Sequence, residues 1–105
     1  MKSKSAIEFD FRQAMNRADE LDQVASEMKR MANNDMQSSL QQLSTAWKGE
    51  AASAYLTKGG RLKDKVLKSA SDLNKTASTI RSVARRVYNA EMTAYRIAME
   101  RAYKS

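Results

Sequence analysis

The sequence predicts an all-α protein, two long helices folded back on each other as an antiparallel hairpin. Three observations carry this reading. The 105 residues include no proline and only three glycines, so the chain has few places to turn and its helices should be long. Apolar residues recur every three or four positions over two extended stretches, the spacing of one helix face. Between those stretches, near mid-chain, lies Trp47-Lys48-Gly49, whose glycine can adopt the positive φ that commonly ends a helix.

The elements follow in order. Ile7-Glu8-Phe9-Asp10-Phe11 alternates apolar and acidic residues, which suits an extended lead-in, with Asp10 as N-cap and Gln13 completing a capping box. Helix one then runs over about 11–46 through Phe11, Ala14, Ala18, Leu21, Ala25, Met28, Ala32, Met36, Leu40 and Leu43. Met28, Ala32, Met36 and Leu40 are all four apart, a stutter that unwinds a supercoil locally. With Asn33-Asn34-Asp35 inside it, this segment should be a weak point without a true break. The turn occupies 47–50, and its shortness forces the next helix antiparallel.

Helix two is expected over about 52–102. Gly59, Val66, Leu73, Ile80, Val87 and Ala94 repeat every seven residues, with Leu62, Val83, Ala90 and Ile97 in the companion position, a seam of coiled-coil kind. Gly59-Gly60 is its blemish. Two glycines cost a helix interior roughly 2 kcal/mol relative to alanine, so they mark a kink, a fray or a close backbone crossing. A row of small residues, Ala70, Ala77 and Ala84, lies beside the seam, with Leu67, Tyr88 and Tyr95 just beyond it. Small rows permit close helix approach and tyrosines anchor interfaces, so this second face reads equally as a wide core stripe or as a partner surface. Two helices alone bury little. The seam residues Val66, Leu73, Ile80 and Val87, with the alanine row, Leu67 and Tyr95, are therefore the expected contacts of a four-helix bundle formed by homo- or heterodimerisation.

Cysteine and histidine are both absent, which removes disulfides, the usual zinc sites, Cys-His pairs and Ser-His-Asp triads. The acids fall singly along helical sequence, with no carboxylate pair of the kind tuned for acid-base work. An enzyme is not expected, nor a metal or cofactor. The basic N-terminus is not followed by the apolar core of a signal peptide, and no apolar run approaches a membrane span, so the chain is expected to begin in the cytoplasm.

Charge is unevenly placed. Residues 1–46 carry six Lys and Arg against seven acids, whereas residues 47–105 carry thirteen against five. Lys58, Arg61, Lys65, Lys68, Lys75 and Arg86 fall on neighbouring stripes of helix two and should form a basic ridge beside the seam. Solvated surface, docking to an acidic partner, and binding to nucleic acid or an anionic membrane all fit such a ridge. Against nucleic acid, Tyr88 and Tyr95 do not interleave with it as a stacking platform would.

A Trp-Xaa-Gly tripeptide between two long heptad-like helices resembles the WXG family, the small early-secreted-antigen-like proteins of type VII secretion. The resemblance covers nearly the whole chain, from the Ile7-Glu8-Phe9 lead-in through the turn and Ala51-Ala52-Ser53-Ala54-Tyr55 to helix two. It implies a hairpin that dimerises with itself or a related hairpin and is exported folded by a secretion ATPase, as a substrate or as an adaptor for a larger effector. It also implies that Trp47 and Gly49 form part of an export signal, whereas the plain structural reading of Trp47 is a plug at the open end of the hairpin. One feature departs. The family's C-terminal motif sets an aromatic four residues before an acid, whereas here Tyr88 precedes Glu91 by three and Tyr95 precedes Glu100 by five. Residues three apart share a helix face, so Tyr88 with Glu91 is a degenerate candidate. The departure favours a related expectation, a helper bound to the N-terminal helices of a large LXG-type toxin, as found in Gram-positive bacteria. The alternative is a basic cytoplasmic helical protein that binds nucleic acid.

Overall fold

The computed structural model describes residues 1–104. Its elements are α1 (Lys4–Arg30), a π-helical segment (Met31–Met36), α2 (Gln37–Ala46) and α3 (Glu50–Lys104), and no strand occurs among the described residues. The helical hairpin is thus present, with its turn where the sequence places it. The contacts divide the chain into two units. Met1–Glu20 packs with the part of α3 from Thr76 onward, and Leu21–Lys75 packs as a second unit that contains the turn.

The lead-in is not extended. The Ser3 Oγ accepts the Ala6 N–H at 3.2 Å and the Ser3 carbonyl accepts the Ile7 N–H at 3.0 Å, so Ser3 caps a helix that begins at Lys4 and Asp10 lies inside it. The apparent alternation conceals a helical pair. Ile7 and Phe11 are four apart and face inward, with Ile7 fully buried, while Phe9 points outward.

The stutter has a structural counterpart in the π-helical segment. In an α-helix each step of four residues overshoots a full turn by about 40°, so Met28, Ala32, Met36 and Leu40 would drift off one face. The wider i→i+5 winding holds them in line, which is why the helix changes hand-over at Met31–Met36 without breaking. Ala32 is buried at its centre.

The closed seam is built from alanine, and here the two rows of α3 exchange roles. Ala70, Ala77 and Ala84 are buried inside the hairpin, as are Ala18, Ala25, Ala32 and Ala52 on the other elements. The alanine row is therefore not the face left for a partner. Val66, Leu73 and Ile80 flank it half-buried, whereas Val87, Leu62, Val83 and Ile97 of the expected seam are exposed, with Ala90 and Ala94. Leu67, Tyr88 and Tyr95 line its other flank, half-buried. Opposed alanine rows let two backbones approach closely, a geometry that a row of branched side chains forbids.

Each unit is antiparallel. Within Leu21–Lys75, Leu40 meets Gly59, Gln37 Oε1 accepts from Lys63 Nζ at 2.8 Å, and Asp22 Oδ1 accepts from Asn74 Nδ2 at 2.7 Å, so numbering falls on one leg as it rises on the other. In the other unit the partners are Asp19 with Arg81, Phe11 with Tyr88, and Lys2 with Glu91. Gly59-Gly60 does not interrupt α3, which runs unbroken for 55 residues. Gly59 is the close crossing, since a Cβ there would collide with the Leu40 side chain, while a Cβ at Gly60 would meet nothing within 4 Å.

Candidate functional site

The turn is built residue by residue. Trp47 leaves α2 in an extended conformation (φ −124°, ψ 126°), its N–H still bonded to the Leu43 carbonyl at 2.9 Å. Gly49 sits at φ +111°, a conformation that side-chain-bearing residues rarely adopt. No neighbour crowds it, so the backbone alone demands glycine here. Its carbonyl then accepts the Ser53 N–H at 3.0 Å, opening α3, whose first turn carries Glu50 at the positive end of the helix dipole.

Trp47 is 45% exposed and its ring leans on Tyr55, with centroids 5.9 Å apart and planes tilted by 59°. The indole is thus partly in solvent and packs against the Tyr55 ring. Tyr55 is itself 60% exposed. Nothing in the spacing marks this pairing, although the seven residues between the two rings bridge one tight turn.

Tyr88 and Glu91 do share a face of α3, and that face is inward. The Tyr88 ring packs against Phe11 at 4.9 Å, and Glu91 Oε2 lies 3.1 Å from Lys2 Nζ. Lys2 also donates to Asp10 Oδ2 at 2.8 Å. The hydrogen bond to Asp10, and then that to Glu91, hold the Lys2 ammonium above its ordinary pKa. Both members of the degenerate motif are engaged within their own unit. Beside them runs a groove of about 370 Å³ whose walls include Ile7, Phe11, Ala14, Ile80, Val83 and Val87, with the Lys2 cluster at its edge. A shallower groove of about 410 Å³ in the other unit is lined by Met31, Met36, Leu40 and Gly59 among others. Both grooves are walled largely by apolar side chains, with Lys2, Asp10 and Glu91 converging at the edge of the first and Asp35 and Ser39 beside the second.

All six ridge residues, Lys58, Arg61, Lys65, Lys68, Lys75 and Arg86, are exposed. Lys68 pairs with Asp72 at 3.4 Å across one helical turn. Because the alanine row closes the hairpin, the ridge lies on the outer face of α3 and away from the helix contact. Among the described residues no cluster of carboxylates could hold a metal ion, and no helix is long and apolar enough to cross a membrane.

Compared with protein-family models, with curated proteins and with solved structures, the chain matches none.

Proposed function

We propose that this chain is a small type VII secretion protein of WXG kind, working as an exported substrate or as an adaptor that helps target a larger effector such as an LXG-type toxin. The observation that carries the reading is the turn. A Trp-Xaa-Gly tripeptide occupies the reversal of a helical hairpin, with Gly49 at positive φ and the Trp47 ring half-exposed. Two further observations support the adaptor role. Tyr88 and Glu91 are engaged by Phe11 and Lys2, which leaves recognition by a secretion ATPase to a motif on a partner. Val83, Val87 and Ile97 stand exposed along one side of α3, an apolar stripe at helical spacing of the kind that a partner helix covers.

The test is export from the native host. Trp47→Ala should abolish export while leaving the folded protein at normal abundance, since the residue is half in solvent. Purified from that host, the protein should come with a stoichiometric larger helical partner, and Val83→Glu with Val87→Glu should release it. Export that persists in the Trp47 variant removes the signal role, and a protein that purifies alone as a monomer removes the adaptor role.

A further inference from the structure

The turn end of the hairpin carries a surface of which the export reading uses only Trp47. Tyr55, Leu62 and Ser69 recur every seven residues on α3, and Lys58 and Lys65 follow Tyr55 and Leu62 by three, so the two rows adjoin. Arg61 and Lys68 form the next row out. All of these side chains are exposed, Leu62 at 56%, and the Trp47 ring extends the apolar row by resting on Tyr55. Within this one unit, then, an indole, a phenol and a leucine form an exposed apolar edge. Five cations, Lys58, Arg61, Lys65 and Lys68 with Lys48 in the turn, stand beside it.

We infer that this edge docks on an anionic lipid surface. Trp and Tyr favour the boundary between headgroup and acyl chain, where an apolar ring and a polar tip are both satisfied. Lys and Arg beside them keep their ammonium and guanidinium groups at the phosphates while their stems lie along the apolar row. Each cation near an anionic leaflet raises partitioning about fivefold, which is about 1 kcal/mol converted at 1.4 kcal/mol per decade. No helix here is apolar enough to cross the bilayer, so the contact is peripheral. Nucleic acid fits less well. Trp47 and Tyr55 tilt at 59° against each other and leave no parallel slot for a base, and Leu62 has nothing to offer a phosphate backbone. The inference stands apart from the export reading, because it concerns the purified protein and vesicles alone.

Trp47 is the only tryptophan, so it reports directly on the contact. The full chain is titrated with extruded vesicles of phosphatidylcholine containing about 30% phosphatidylglycerol, enough to give an anionic surface. Binding should move the Trp47 emission to shorter wavelength, with little change on phosphatidylcholine alone, and should weaken as salt rises. Neutralising Lys58, Arg61, Lys65 and Lys68 to Gln should lower partitioning several hundredfold, the product of four fivefold steps. Tyr55→Ser with Leu62→Ser should reduce the blue shift. Both sets are exposed positions, and circular dichroism checks that the helices persist. No shift on anionic vesicles, an equal shift on neutral ones, or equal binding to single-stranded DNA or polyglutamate would overturn the inference. Insensitivity to the Tyr55 and Leu62 changes would also overturn it, because charge alone would then explain the binding.

Discussion

The two units of this hairpin share a buried alanine row and differ in what is packed around it. In the unit formed by Met1–Glu20 and the later part of α3, large side chains are added to the buried Ala18, Ala77 and Ala84: Ile7 is fully buried, Phe11 packs against Tyr88, Asp19 grips Arg81 at 2.7 Å, and Lys2 bridges Asp10 and Glu91. In the unit of Leu21–Lys75 the absence of large side chains does the closing, through Ala25, Ala32, Ala52 and Ala70 and through Gly59, which receives Leu40. One leg-to-leg contact therefore adds filled volume to the alanine row, and the other depends on withholding it throughout. The turn lies in the second unit, where backbones must converge.

Opposite substitutions should break the two units. Ile7→Ala removes the one large side chain fully enclosed in its unit, and should cost about 3 kcal/mol by lost transfer and a residual void. Ala70→Leu adds volume where none is free, and should cost about 2 kcal/mol through overpacking. Hydrogen exchange would separate them. Ile7→Ala should speed exchange in 4–20 and 76–104, and Ala70→Leu in 21–75. Equal loss of protection everywhere in both variants would show that the two closures act as one.

The adjacent glycines sharpen the comparison at smaller scale. Gly60→Ala should stabilise by about 1 kcal/mol, because the helix gains propensity and the new methyl meets open space. Gly59→Ala should show little or none of that gain, since Leu40 must move aside. Urea unfolding midpoints at constant slope would resolve the difference. If both gained equally, the crossing at Gly59 would not be tight.

The smallest effect belongs to Lys2. Its folded pKa is raised, so its contribution is complete below the ordinary value of 10.5 and fades as pH climbs through the folded value. The melting temperature of the native chain should fall more steeply across that alkaline window than that of Lys2→Met. Parallel curves would mean that the Lys2 cluster contributes nothing, as exposed ion pairs often do.

Much of this was legible in the residues. The absence of proline, the three-and-four spacing and Gly49 specified two legs and one reversal, and the four-residue steps from Met28 to Leu40 specified a local change of winding. The start of α1 is not legible, because Ile7 to Phe11 alternates over a span too short to distinguish a strand from a helix face, and the cap at Ser3 lies upstream of it. The Tyr88 and Glu91 face was legible, while its occupants were not. Phe11 and Lys2 are far away in sequence, and nothing local marks them as partners.

The chain by itself determined that there would be a hairpin and where it would turn, because breakers and periodicity act within a few residues. It left open which row of α3 closes the hairpin, since the aliphatic row through Val66, Leu73, Ile80 and Val87 and the alanine row through Ala70, Ala77 and Ala84 repeat at the same interval. Only the tertiary structure decided between them. Ala18, Ala25 and Ala32 carry the matching repeat on the other leg, and two facing rows of methyl groups let the backbones approach more closely than branched side chains allow. The aliphatic row was thereby left partly in solvent.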